Sequence, residues 1–341
     1  MNKAGRIILV TPQYAIEGGE VEVVCEGFNV DPEGDYGCYI GGEKCRITAA
    51  SSDRILAIVP DNIEGEISLH LESGGDESEH YSVTIGLLLT DEMHIVANPA
   101  ADPKDDSIIL TRSGSRGQQL PFTLYRLETD GYVDEMSAEI MNPTGIAFDK
   151  DGVMYVTNRS AGEVCRIDRG EEVTVYASGL GVATGLAFDK HGVMYVGDRS
   201  GTIYRVPAFG ETEIFTVLEP SVSAYHIAFG PDGRLFVSAP GLASHDAIMA
   251  VDEHGNAEKY ARGFGRPQGL AFDVNGNLYS AACFKGKHGV VRIDAETGET
   301  EMYVSGNNVV GLCFTRNGEM IVATNDAVYS LPFGIEGILL N

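Results

Sequence analysis

The stretch "TGLAFDKHGVMYVGDRSGTIYRV" at 184–206 nearly copies "TGIAFDKDGVMYVTNRSAGEVCRI" at 144–167. The same pattern returns in "AYHIAFGPDGRLFV" (224–237), "PQGLAFDVNGNLYS" (267–280) and "VVGLCFTRNGEMIV" (309–322). Aligned on its glycine, the pattern falls at Gly145, Gly185, His226, Gly269 and Gly311, a period of 40 to 43 residues. A worn copy precedes them, from "NPAADPKDDSIILTRSG" at 98–114 to "TLYRL" at 123–127. We number these copies repeats 1 to 6 in chain order. A period near 40 with several strands per unit predicts a propeller blade.

Each copy reads as a strand ("GIAF"), a four-residue turn ("DKDG"), a second strand ("VMYV"), a polar loop, a third strand ("VCRI") and a fourth ("VTVYA"). The first two strands are apolar at consecutive positions, as expected where both sheet faces are covered. One such sheet cannot bury two faces alone, so the pattern must recur until a ring closes. The turns end in Gly, where a positive φ is needed. Their Asp and Asn content resembles a calcium loop only superficially, because Gly stands fourth and no bidentate Glu follows. The outer strand of the last blade comes from either "GILLN" at 337–341 or "IGLLL" at 85–89.

Composition agrees with a turn-rich β chain. Glycine supplies 42 of 341 residues, and 43% of the chain is hydrophobic. With 50 Asp and Glu against 24 Lys and Arg, the net charge of −26 would repel phosphate backbones and anionic lipid, so neither nucleic acid nor membrane is an expected partner. The sequence starts without a leader-like apolar segment and contains no run of about 18 apolar residues, so a cytoplasmic location is expected. Six cysteines form no CxxC and read as buried thiols; Cys38 and Cys45 would pair only in an oxidising compartment.

Residues 1–86 have a different texture, with β-rich runs at the spacing of a small sandwich. Pro12, "EGG" at 17–19, "EGF" at 26–28, "IGG" at 40–42 and "IVP" at 58–60 carry a resemblance to IPT/TIG immunoglobulin-like domains. The expected organisation is an all-β chain with an immunoglobulin-like β-sandwich at 1–86, a connector at 87–97 and a six-bladed β-propeller at 98–341.

Strand parity places two groups of residues at one mouth of such a ring: those before each inner strand and those after each second strand. The first group is Asn98, Thr144, Thr184, Tyr225, Gln268 and Val310, with His226 replacing the repeat glycine. The second group includes Asn158 and Asn325. Its loops carry Arg112, Arg116, Arg159, Arg199, Lys285 and Lys287 against Asp198, Asp246 and Asp326, inverting the sign of the chain. Cations around a low-dielectric opening draw in anions, and arginine grips carboxylate or phosphate with two bonds. The ligand-contacting set is therefore Asn98, Arg112, Thr144, Asn158, Arg159, Thr184, Asp198, Arg199, Tyr225, His226, Gln268, Cys283 and Asn325. The expected partner is a small anionic ligand or an acidic protein segment.

The blade text "PxGxAFDxxGxxYV" resembles NHL-repeat propellers and the senescence-marker protein/gluconolactonase family. That resemblance implies a lactone or ester hydrolase using one divalent cation, such as calcium, held by Glu, Asn and Asp before the inner strands. Here those places hold Thr144, Thr184, Tyr225, Gln268 and Val310, and only Asn98 is of a ligand type, so no metal ligand and no cofactor is assigned. A lactonase site would have to be rearranged, toward Asp198 and Asp326. "SHD" at 244–246 cannot form a relay between chain neighbours, and "SGSRG" at 113–117 is not a nucleophile elbow. His226 is the one candidate general base, and Cys283, near Lys285, the one candidate reactive thiol.

Overall fold

The computed structural model describes residues 3–30, 34–113, 120–241 and 246–338. Among them every regular element is a strand. In the N-terminal unit, Arg6–Thr11, Glu20–Glu26, Arg54–Ile58 and Arg46–Ala50 pair in that order as one antiparallel sheet. Tyr81–Ile85, Gly65–Ser73, Tyr36–Ile40 and Glu43–Lys44 form a second. Val21, Val23 and Cys25 alternate inward along Glu20–Glu26, as the two-residue period of a half-covered strand requires. They meet Cys38, Ile40, Leu69, Leu71 and Val83 of the facing sheet in one core.

The repeats each build a four-stranded antiparallel sheet whose first strand lies innermost. In repeat 2 the order is Pro143–Phe148, Met154–Asn158, Glu163–Ile167, Val173–Ala177; in repeat 3 it is Ala183–Phe188, Met194–Asp198, Thr202–Val206, Glu213–Val217. The sixth sheet takes its outermost strand from elsewhere. Leu87–Thr90, inside the segment read as a connector, pairs with Val328–Pro332. Of the two sources read from sequence, the one at 85–89 supplies this strand. Gly337 instead bridges Asp273, and the Ile338 N–H donates to the Phe272 carbonyl at 2.8 Å, so these two residues lie along repeat 5.

Apolar side chains fill the space between consecutive sheets. Ile109 of repeat 1 shares a core with Phe148 of repeat 2, Tyr155 with Phe188 of repeat 3, and Tyr195 with Ile227 of repeat 4. Phe236 then meets Phe272 of repeat 5, Tyr279 meets Phe314 of repeat 6, and Ile321 returns to Ile108 and Leu110 of repeat 1. The phenylalanine of the "AFD" motif is the recurring contact. Tyr155 on Phe188, Tyr195 on Phe229, Phe236 on Phe272 and Tyr279 on Phe314 stand edge to face with centroids 5.3, 5.0, 4.9 and 5.2 Å apart. Such pairs add about 0.5–1.5 kcal/mol each beyond area burial.

The repeat glycine has its own cause. A Cβ at Gly145 would stand 2.6 Å from the Thr184 carbonyl oxygen, and one at Gly185 2.6 Å from that of Tyr225. One at Gly311 would stand 2.6 Å from Asn98 Cα. Neighbouring inner strands therefore touch backbone to backbone at this level.

The two parts are joined by main-chain pairing. Tyr14–Ala15 runs parallel to Tyr81–Ile85 on one side and to Thr300–Ser305, the outer strand of repeat 5, on the other. Tyr14 also packs edge-on against Phe333 at 4.2 Å, and Ile16 is buried in the core between repeats 5 and 6. Lys287 pairs with Glu22 at 2.7 Å.

Gly185→Ala will destabilise the chain by about 1–3 kcal/mol, since the added methyl forces two backbones apart. Gly170→Ala, on an exposed turn with ordinary clearance, will change stability by less than about 0.5 kcal/mol. Urea unfolding of both variants checks the contrast.

Candidate functional site

The loop before each inner strand and the loop after each second strand meet at one end of the sheets. The Arg159 N–H donates to the Asn142 carbonyl at 3.3 Å, that of Arg199 to Val182 at 3.1 Å, and that of Asn325 to Asn308 at 3.0 Å. Asn158 lies opposite Pro143, and Asp198 opposite Ala183. The turns that follow the inner strands lie at the other end.

At the first end, three arginines avoid carboxylates. Arg199 donates to the carbonyls of Ser221 (3.3 Å) and Val222 (2.9 Å), tying repeat 3 to the entry of repeat 4. Arg112 donates to the Tyr125 hydroxyl at 3.2 Å. Arg159 is half-buried, and among the described residues its guanidinium has neither a hydrogen-bond partner nor an ion pair. Burial first, and the positive charge of Arg199 second, press its pKa below the ordinary arginine value. Elsewhere Arg126, Arg205, Arg234, Arg292 and Arg316 each meet an Asp or Glu.

Two of the three acidic residues nearby are already engaged. Asp198 is 3% exposed; it accepts from the Val182 N–H at 2.8 Å, the Ser200 N–H at 3.1 Å and the Ser200 hydroxyl. Asp246 accepts from the Gly241 and Arg266 N–H groups at 3.0 and 3.2 Å. Asp326 is exposed. One of the six cations counted at this end from sequence, Lys287, needs relocation. Lys287 is held by Glu22 at the junction between the two parts, and Lys285 stands 4.9 Å over the Phe284 ring. Arg116, Ser244 and His245 lie outside the described residues, as does most of "SGSRG".

Several sequence-chosen residues serve the frame. The Thr184 hydroxyl accepts the Tyr225 N–H at 2.9 Å. Tyr225 is fully buried and donates to the Glu219 carbonyl; burial, then Asp198, pushes its pKa up to about 12. Gln268 is half-buried, and its carbonyl accepts from Ser238. Asn158 Oδ1 accepts the Ala161 N–H at 3.3 Å, Asn325 is exposed, and Cys283 is half-buried in a strand opposite Gly265 and His288.

Asn98 requires a one-residue correction. Ala100 pairs with Ile109 as Ala147 pairs with Tyr155, so Asn98 occupies the glycine position of repeat 1 and Ala97 the position of Thr144. Its amide donates to the Leu270 carbonyl at 3.0 Å and accepts the Leu312 N–H at 3.1 Å, fastening repeat 1 to repeats 5 and 6. Asn98 is thus a cross-link between inner strands. His226 is the other non-glycine residue at this level. It is 6% exposed with Nε2 unpartnered, and burial drives its pKa down to about 4.

Thr144 Oγ1 is likewise buried without a partner, as are Thr111 Oγ1 and Ser280 Oγ, which sequence reasoning missed. Thr111 ends the second strand of repeat 1, where repeats 2 and 4 place Thr157 and Ser238, and that alignment is the signal by which it was findable.

The turn-bearing end was set aside in the sequence reading, yet it holds two cavities. One, of about 800 Å³, is bounded by Lys150, Asp189, Lys190, Asp232, Arg234 and Ile338 among others; the second, of about 590 Å³, lies between Asp102, Arg126, Arg166 and Glu171. The turn aspartates themselves are committed to backbone. Asp149 Oδ1 accepts N–H groups of Asp151 and Val153, and Asp273 Oδ1 those of Asn275 and Asn277, all at 2.9–3.0 Å. Among the described residues, the one group of His, Cys, Asp and Glu side chains able to hold an ion is His70, Glu77 and His80, in the N-terminal unit.

No protein-family profile matches the chain, and no curated protein sequence matches it. Solved structures do. An auxiliary nutrient-binding protein from Bacteroides thetaiotaomicron is 14% identical with a TM-score of 0.55, over 97% of this chain and 98% of that one. A Bacteroides thetaiotaomicron protein of unknown function is 14% identical with a TM-score of 0.59, over 95% and 96%. A gluconolactonase from Xanthomonas campestris is 16% identical with a TM-score of 0.61, over 72% and 89%. At these identities the likeness is one of fold: an all-β chain of several sheets, similar to gluconolactonase-like propellers.

Acid will test the environment of His226. An unfolded histidine binds its proton near 6.5 and the folded one near 4, so between these values the unfolded state holds more protons. Stability contributed by neutral burial is full above about pH 6.5 and is lost as pH falls toward 4, by up to about 3 kcal/mol. Denaturation of wild type and His226→Gln across this window will show a steeper loss in the wild type.

Proposed function

We propose that the chain is a binding protein in which an immunoglobulin-like sandwich precedes a six-bladed propeller, and that the Arg159 end of the ring receives a small anionic ligand. The observation that carries this reading is the Arg159 guanidinium, half-buried beside Arg199 and without a carboxylate among the described residues. Two adjacent cations, Arg159 half-buried and Arg199 exposed, repel each other, and a bound carboxylate or phosphate relieves that repulsion while accepting paired N–H bonds. The likeness to a nutrient-binding protein over both parts of the chain supports a binding role, whereas the gluconolactonase likeness spans a smaller share.

A lactone hydrolase with a rearranged metal site is the second reading, favoured by that gluconolactonase likeness. Against it, Asp198 is occupied by backbone donors, and its proposed partner Asp326 belongs to repeat 6.

Calorimetric titration with sugar acids, dicarboxylates and sugar phosphates separates the readings. A binder from this panel is expected to lose about 10-fold to 100-fold in affinity in Arg159→Ala/Arg199→Ala and to weaken with added salt. Affinity unchanged in that double variant contradicts the proposal. Lactone turnover abolished by a chelator establishes the hydrolase instead.

A further inference from the structure

We propose that His70, Glu77 and His80 bind one divalent transition-metal ion of the zinc type, with at least one coordination position left open. This site lies in the N-terminal unit and does not depend on the mouth of the repeats. Strand geometry builds it. Ser68, His70 and Glu72 are two residues apart on Gly65–Ser73 and project to the face opposite Leu69 and Leu71. The hairpin that follows pairs Glu72 with Glu77, and the chain then returns through His80 into Tyr81–Ile85, which pairs back onto Leu69.

The three ligand atoms already lie within 4.8 Å of one another. Tetrahedral zinc with bonds of about 2.0–2.1 Å needs its ligands about 3.3 Å apart. Closing that difference takes a turn of the His80 ring out of its stack on His70 together with a rotation of Glu77, both half-exposed, while His70 stays fixed. His70 is 9% exposed and stacks between Tyr39 (5.2 Å, 6°) and His80 (4.8 Å, 14°). Its Nε2 stands 3.9 Å from Glu77 Oε1 and 3.4 Å from Glu72 Oε1. Its Nδ1 is buried and has no partner.

The outer shell is also present. His80 Nδ1 lies 3.1 Å from the Ser68 hydroxyl, the kind of contact that fixes the ring of a ligating histidine. Its Nε2 faces Glu77 at 2.6 Å; in the tautomer with the ring proton on Nδ1, donated to the Ser68 hydroxyl, the Nε2 lone pair is available to the ion. Two imidazoles and one carboxylate select zinc-type ions over calcium or magnesium, which prefer all-oxygen sites. An ion here would clip Gly65–Ser73 to the strand on which Tyr14–Ala15, and through it repeat 5, is docked.

The test titrates zinc into the full chain against a chromophoric chelator, in wild type, His80→Gln, Glu77→Gln and the distant His254→Ala. The expected result is one equivalent bound, at least 10-fold weaker in the first two variants and unchanged in the third. Zinc-edge X-ray absorption is expected to show two imidazole ligands in the wild type. Because His80 and Glu77 are half-exposed, the metal-free variants should keep the wild-type circular dichroism. The proposal is overturned if wild type binds no zinc, if calcium competes equally, or if all variants bind alike, which would mark an adventitious ion elsewhere.

Discussion

Each repeat folds into a sheet with two apolar faces, and a sheet with two apolar faces cannot stand alone in water. Burying both requires a neighbour on each side, so the last sheet must find the first. The cores satisfy that demand in sequence, and the contact of Ile321 with Ile108 and Leu110 completes it. Other features follow from this crowding. Inner strands approach so closely that glycine is needed at Gly145 and Gly185, and Asn98, at the same level, bonds to the backbones of two other repeats.

The joint between the first and last repeats is reinforced by strand exchange. Leu87–Thr90 precedes repeat 1 in the chain yet forms the outer strand of repeat 6, so the sheet at the seam contains both early and late sequence. The N-terminal unit adds a second tie through Tyr14–Ala15, which lies between its own Tyr81–Ile85 and the outer strand of repeat 5. Residues near the start of the chain are therefore part of the hydrogen-bonding of the repeats.

Repeats 2 to 6 were legible because their glycine, "AFD" turn and consecutive apolar runs each have a local physical cause. Repeat 1 was legible only in part. It lacks both the glycine and the phenylalanine, with Asn98 and Ala101 in their places, and text alone set Asn98 one position early. The outer strand at Leu87–Thr90 was legible as one of two candidates, 85–89, with no alternating pattern to decide between them, since its exposure runs from exposed to half-buried along four residues. Charges were counted correctly by loop but not by partner. Lys287 belongs to Glu22, and Asp198 to the backbone of Val182 and Ser200, because side-chain partners depend on which distant strands become neighbours. The His70, Glu77 and His80 group was hidden for the same reason: only the pairing of Glu72 with Glu77 brings it together.

Because the two apolar faces of every sheet are covered only if the sheets close on themselves, closure is the claim to test. Native-state hydrogen exchange resolved by residue does so directly. In a closed ring, the core amides of Leu110 in repeat 1, Val196 in repeat 3 and Val322 in repeat 6 exchange through one global opening with a common free energy. If instead repeats 1 and 6 open at markedly lower free energies than repeat 3, the array has free ends and the account is wrong.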